Sequence, residues 1–134
     1  MPKTLIIDPD PKLCEIIGET LTDEVPGLIV YHAQSGTDGV KIAKEHPLDL
    51  IILSLFLKTT MPADQIIQQI KSIRPSVRVI ILSGSDFDLA RMQDEAAMRH
   101  IQEIGYDAYL VKGNSELELI NAVKKIFQEK QSSQ

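Results

Sequence analysis

Two hydrophobic periods alternate along the chain. Short apolar runs rich in branched residues fit strands buried on both faces. They are Thr4-Leu5-Ile6-Ile7, Leu28-Ile29-Val30-Tyr31 and residues 48–53, 77–82 and 107–111. Between them, apolar residues recur at helical spacing. Leu13, Ile16, Ile17, Thr20 and Leu21 predict a first helix with inward-facing residues, and Ile66, Ile67, Ile70 and Ile73 predict a third. Leu89, Met92, Ala96, Ala97, Ile101 and Ile104 predict a fourth, and Leu117, Ile120, Val123 and Phe127 a last one directed inward.

The punctuation agrees with these periods. Asp10-Pro11 offers an N-cap followed by proline at the first helical position. Ser35-Gly36-Thr37-Asp38 resembles a capping box before a short helix that ends near His46-Pro47. Arg74-Pro75 and Gly105 stop two further helices, and Asn114 or Ser115 can cap the last. Five strands alternating with five helices predict a doubly wound α/β parallel sheet, one domain over residues 1–130 with a polar tail at 131–134.

Composition narrows the function. The chain has 134 residues, enough for one domain with a real core. A net charge of −5 argues against a direct nucleic-acid surface, which needs a basic field. The single cysteine, Cys14, excludes an internal disulfide, and its apolar helical setting predicts a buried thiol. No apolar run reaches membrane-spanning length, and Met1-Pro2-Lys3-Thr4 leads into a strand without a secretory pattern. The expectation is a cytoplasmic protein with no membrane partner.

In a doubly wound sheet the functional crevice lies beyond the carboxyl ends of the strands. Those ends carry Asp8, Ser54, Ser83 and Lys112. No G-x-G-x-x-G or Walker loop, no G-x-S-x-G, no Ser-His-acid set and no metal-ligand cluster is present, which points away from an enzyme. His32, His46 and His100 fall on separate elements and read as surface residues.

The order of these residues resembles the receiver domain of two-component response regulators over nearly the whole chain. Leu5-Ile6-Ile7-Asp8-Pro9-Asp10-Pro11 resembles the family's first strand and acidic turn, and Asp49-Leu50-Ile51-Ile52-Leu53 the strand that presents the phosphate-accepting aspartate. Val79-Ile80-Ile81-Leu82-Ser83-Gly84 resembles the strand ending in a phosphate-sensing Ser/Thr. Residues 105–112 resemble the segment with the aromatic switch residue and the pocket lysine. The resemblance implies a flavodoxin-like (βα)5 fold with strand order 2-1-3-4-5, and assigns Ser83 and Tyr109 as switch equivalents and Lys112 as the pocket lysine.

The chain departs from that pattern where the chemistry sits. Ser54 occupies the acceptor position, and Pro9 the place of the second acid, so the acidic pocket reduces to Asp8 and Asp10. Gly113 follows Lys112 where the family has proline, and the stretch from Ser83 to Lys112 is longer than usual by about two helical turns. Phosphotransfer to a receiver needs a carboxylate acceptor and Mg²⁺ held by oxygen ligands. The expectation is a pseudo-receiver with no cofactor. In it, Asp8, Lys112, Ser54 and Ser83 form a hydrogen-bonded plug, and Asp10 serves as a helix cap. Its partner is a protein (a histidine kinase, an output domain or another signalling protein) docked on the face of the fourth helix, fifth strand and fifth helix. Homodimerisation through that face is a family habit. The alternatives are a working receiver with a substitute acceptor, and a sensor of a small anion or nucleotide at Ser83-Gly84-Ser85 and Lys112.

Overall fold

The computed structural model describes residues 2–55, 61–83, 95–111 and 116–132, the side chains of 95–98 and 130–132 excepted. Its elements run β1 (Lys3–Ile7), α1 (Pro11–Glu24), β2 (Ile29–Ala33), α2 (Gly36–Glu45), β3 (Leu50–Ser54), α3 (Ala63–Ile73), β4 (Arg78–Ser83), α4 (Glu95–Ile104), β5 (Ala108–Val111) and α5 (Glu116–Ser132). The strands form one parallel sheet in the order β2-β1-β3-β4-β5, as the resemblance implies. The last helix continues through Ser132, past the boundary at which the sequence suggested a polar tail.

The strands are all-apolar because both faces of the sheet are covered. On one face Leu5, Ile7, Ile51, Leu53, Val79 and Ile81 meet α2, α3 and α4 through Val40, Ile66, Ile67, Ile70 and Ile101. On the other, Ile6, Leu50, Ile52, Ile80 and Leu82 meet α1 and α5 through Cys14, Leu21, Leu119, Ile120, Val123 and Phe127. Gly39 brings α2 against β1 so closely that a Cβ there would stand 2.6 Å from the Ile7 side chain.

The caps at Asp10 and Ser35 form as the sequence indicates, while Asn114 and Ser115 lie outside the described residues. Asp10 accepts from the N–H groups of Lys12 and Leu13 with Pro11 in the first turn, and Ser35 accepts from the Asp38 N–H. Gly105 ends α4 at φ +92°, a left-handed conformation that favours glycine. Two inward assignments are corrected. Ile16 is 45% exposed because the buried stripe of α1 is the narrow one of Cys14, Gly18 and Leu21, and Ile16 lies opposite it. Leu117 is 62% exposed. It lies about 120° around α5 from Val123, off the buried stripe of Leu119, Ile120, Val123, Ile126 and Phe127. Leu89 and Met92 lie outside the described residues; Ile101 and Ile104 take their expected core places.

Long-range polar contacts fasten the layers. Arg74, at the end of α3, donates to the Ala43 and Lys44 carbonyls at the end of α2. At the amino end of the sheet, Arg78 pairs with Asp107 at 2.5 Å and Glu129 at 2.7 Å. The Glu129 hydrogen bond does most to hold the Arg78 guanidinium above its ordinary pKa; burial opposes it, and Asp107 adds to the rise. The other Asp107 oxygen accepts from the Val79 N–H at 2.7 Å.

Three stability outcomes follow from these contacts. The Thr4 hydroxyl is buried in β1 with no hydrogen-bond partner among the described residues. Thr4→Val therefore raises unfolding stability by about 1 kcal/mol in urea titration. Asp107→Ala strands the Val79 N–H and breaks the Arg78 pair, and lowers stability by about 1–2 kcal/mol. Lys124→Ala, which removes only an exposed 3.5 Å pair with Glu24, changes it by less than about 0.5 kcal/mol in the same assay.

Candidate functional site

Strand register decides which residues meet at the carboxyl end of the sheet. Ile7 pairs with Leu53, Ser54 with Leu82, and Ser83 with Val111. Asp8, one residue past β1, therefore stands at the level of Ser54, the last residue of β3. The ladder continues one step further through the Leu55 N–H to the Leu82 carbonyl at 2.8 Å.

Side chains alternate across a strand. Asp8 and Ser54 continue the rows of Ile6 and Ile52, on the face covered by α1 and α5. Ser83 continues the row of Ile81, on the face covered by α2, α3 and α4. Tyr109 pairs with Ile81 and packs against that same core face. The two switch-equivalent residues thus share one face on neighbouring strands, and the alternation separates Ser83 from the face of Asp8 and Ser54. The Tyr109 ring lies tilted against Tyr106, centroids 6.1 Å apart.

The acids at the first turn have different tasks. Asp8 is 1% exposed. Its Oδ1 accepts from the Asp10 N–H at 2.8 Å, its N–H donates to the Ala33 carbonyl, and its own carbonyl accepts from Cys14 Sγ at 3.7 Å. Asp10 is exposed and spends Oδ1 on the amino end of α1. Pro9, also exposed, has no side-chain oxygen to offer. Among the described residues the pocket therefore has one buried carboxylate, just past β1, and a second carboxylate committed to a helix cap.

Ser54 is also 1% exposed, and its Oγ has no hydrogen-bond partner among the described residues. The expected plug does not reach Ser54 within those residues, and Lys112 lies outside them, as do Gly84 and Ser85. Among the described residues no group of three or more His, Cys, Asp or Glu side chains is arranged to hold a metal ion, and no helix is long and apolar enough to cross a membrane.

Two histidines are more than surface residues. His46 stacks on Tyr31 at a centroid distance of 4.3 Å, with the phenol oxygen 3.3 Å from Nδ1. His100 on α4 places Nδ1 2.9 Å from Asp64 Oδ2 on α3. His32 is exposed. Separation along the chain hid the His100–Asp64 contact; a polar residue in the first turn of an otherwise apolar-faced helix was its only trace.

Comparison with known proteins agrees with this geometry. The family model described as response regulator receiver domain matches residues 4–124. The probable transcriptional regulatory protein SilR of Salmonella typhimurium is 30% identical over 125 residues, 93% of this chain and 50% of its own length. The transcriptional regulatory protein GlrR of Escherichia coli is 34% identical over 80 residues, 60% of this chain and 17% of its own. The chain thus spans half or less of these curated relatives. A CheY-like receiver domain protein from Methanospirillum hungatei superposes with a TM-score of 0.82 at 19% identity, covering 100% of this chain and 99% of the other, a likeness of fold. With the family model spanning most of the sequence, the five-stranded order in place and the site at the expected strand ends, the chain belongs to the receiver domains of two-component response regulators.

Proposed function

We propose that this receiver domain works as a phosphorylation-independent interaction module, a pseudo-receiver, within two-component signalling. The observation that carries the proposal is Ser54: a sealed hydroxyl at the tip of β3, where the family's reaction needs a carboxylate. A carboxylate attacks a phosphohistidine as an anion. A serine hydroxyl needs a base to remove its proton, and the three histidines lie on β2, at the end of α2 and on α4.

The residues present do not fit Mg²⁺. That ion takes near-octahedral oxygen ligands and draws its affinity from carboxylate charge. Ser54 is neutral, Pro9 offers nothing, and Asp10 faces the α1 amides, so Asp8 alone brings a buried negative charge from these positions. The module has no cofactor and no catalytic turnover of its own. Its setting is cytoplasmic.

Signalling then rests on surfaces. Ser83 and Tyr109 lie on the face that α4 covers, so the surface of α4, β5 and α5 is the place for a histidine kinase, an output domain, another signalling protein or a second copy of the chain. No direct contact with nucleic acid or membrane is part of the proposal.

Intact mass after incubation with a small phosphoryl donor and Mg²⁺ stays that of the unmodified chain, while a receiver with an acceptor aspartate gains a phosphoryl group in the same reaction. Stoichiometric addition to this chain overturns the proposal in favour of a substitute acceptor, and mapping the site identifies it. Ser54→Ala shifts unfolding stability by less than about 0.5 kcal/mol, because the hydroxyl has no bond to lose among the described residues; a drop above about 1.5 kcal/mol shows it bonded within a plug.

A further inference from the structure

The contact between α3 and α4 contains a polar pair that the phosphate site does not use. Ile101 of α4 is fully buried in the cluster with Ile66, Ile67 and Ile70 of α3. Such apolar contact is strong but non-directional, so it tolerates sliding or rotation of one helix on the other. Beside it stands a directional contact. His100 Nδ1, as donor, lies 2.9 Å from Asp64 Oδ2.

The two halves differ in exposure. The Asp64 side chain is 15% exposed against 36% for His100. The second carboxylate oxygen, Oδ1, is buried without a hydrogen-bond partner among the described residues. A carboxylate sheltered from water with half of its acceptors idle depends strongly on the bond it does make. Asp64 also lies in the first turn of α3, which starts directly after Pro62. The pair therefore ties α4 to the part of the chain that returns from the tip of β3, where Ser54 sits.

We propose that His100 and Asp64 form a latch that sets the position of α4 on α3, doing by a fixed hydrogen bond what phosphorylation does in a receiver that switches. This inference rests on the reading of the domain as a phosphorylation-independent module whose α4 surface meets a partner. While the latch is closed, α4 is held in one register. When it opens, α4 is released locally, and the sheet, held by the α1–α5 core on its opposite face and by the Arg78–Asp107–Glu129 contact at its amino end, stays folded.

The test is amide hydrogen exchange on the full chain. In His100→Ala, exchange of the α4 amides, residues 95–104, rises by about tenfold, while amides of β1 and β3 stay within about twofold. Asp64→Ala gives the same local rise, and the double variant adds little to either single one, since both remove the same bond. His100→Asn, whose amide nitrogen can take the place of Nδ1, recovers most of the protection. Unchanged α4 exchange in both single variants overturns the latch, and so does a rise spread evenly over every strand. The readout is independent of phosphotransfer: a chain that accepts phosphate yet shows the local release refutes the proposed function and keeps the latch, and the reverse result refutes the latch alone.

Discussion

Everything at the functional end of this domain depends on β3. The strand lies between β1 and β4, so both edges are hydrogen-bonded, and helices cover both faces. All five of its residues are buried. A strand in that position must be apolar along its length, and it delivers one side chain into a sealed space at its carboxyl end. The chemical character of that side chain sets what the domain can do. A carboxylate there is costly to bury, and the cost is offset when it is paired with a cation or a metal. A hydroxyl costs far less, and brings neither the charge that attracts a metal nor the nucleophile that takes a phosphoryl group.

The acidic turn after β1 follows the same logic. Asp8 is buried and folded back on its own chain by the Asp10 N–H. Asp10 closes the end of α1. With Pro9 between them, the turn is organised to start a helix, and its carboxylates are employed in backbone hydrogen bonds. The fold has kept the parts that position the site, including the shared face of Ser83 and Tyr109. On the proposed reading, what sets the domain apart from a phosphorylated receiver is the chemistry of Ser54 and Pro9.

Much of this was legible in the sequence because it is local. Strand runs such as Leu50–Leu53, the Asp10-Pro11 and Ser35 caps and the Gly105 stop depend on neighbours within a few residues, and Cys14 lies in a plainly apolar stripe. Ser54 and Pro9 stood out only against a family pattern. Ile16 and Leu117 were misjudged because helical spacing alone does not say how wide a stripe the sheet buries: Ile16 lies opposite the stripe of Cys14, Gly18 and Leu21, and Leu117 lies to one side of that centred on Val123. The Arg78–Asp107–Glu129 and Asp64–His100 contacts join residues 29 or more apart in sequence, so no local signal marks them. The face on which Ser83 lies needed the register with β5.

The most direct measurement of the central claim is a backbone amide chemical-shift titration with Mg²⁺, first alone and then with beryllofluoride as a mimic of a phosphoryl group. A pocket built around one buried carboxylate and a neutral serine leaves the amides of Asp8, Ser54 and Ser83 where they are in both titrations. Saturable shifts at those amides, above all with beryllofluoride present, would show a pocket that still takes metal and phosphoryl group, and would contradict the account.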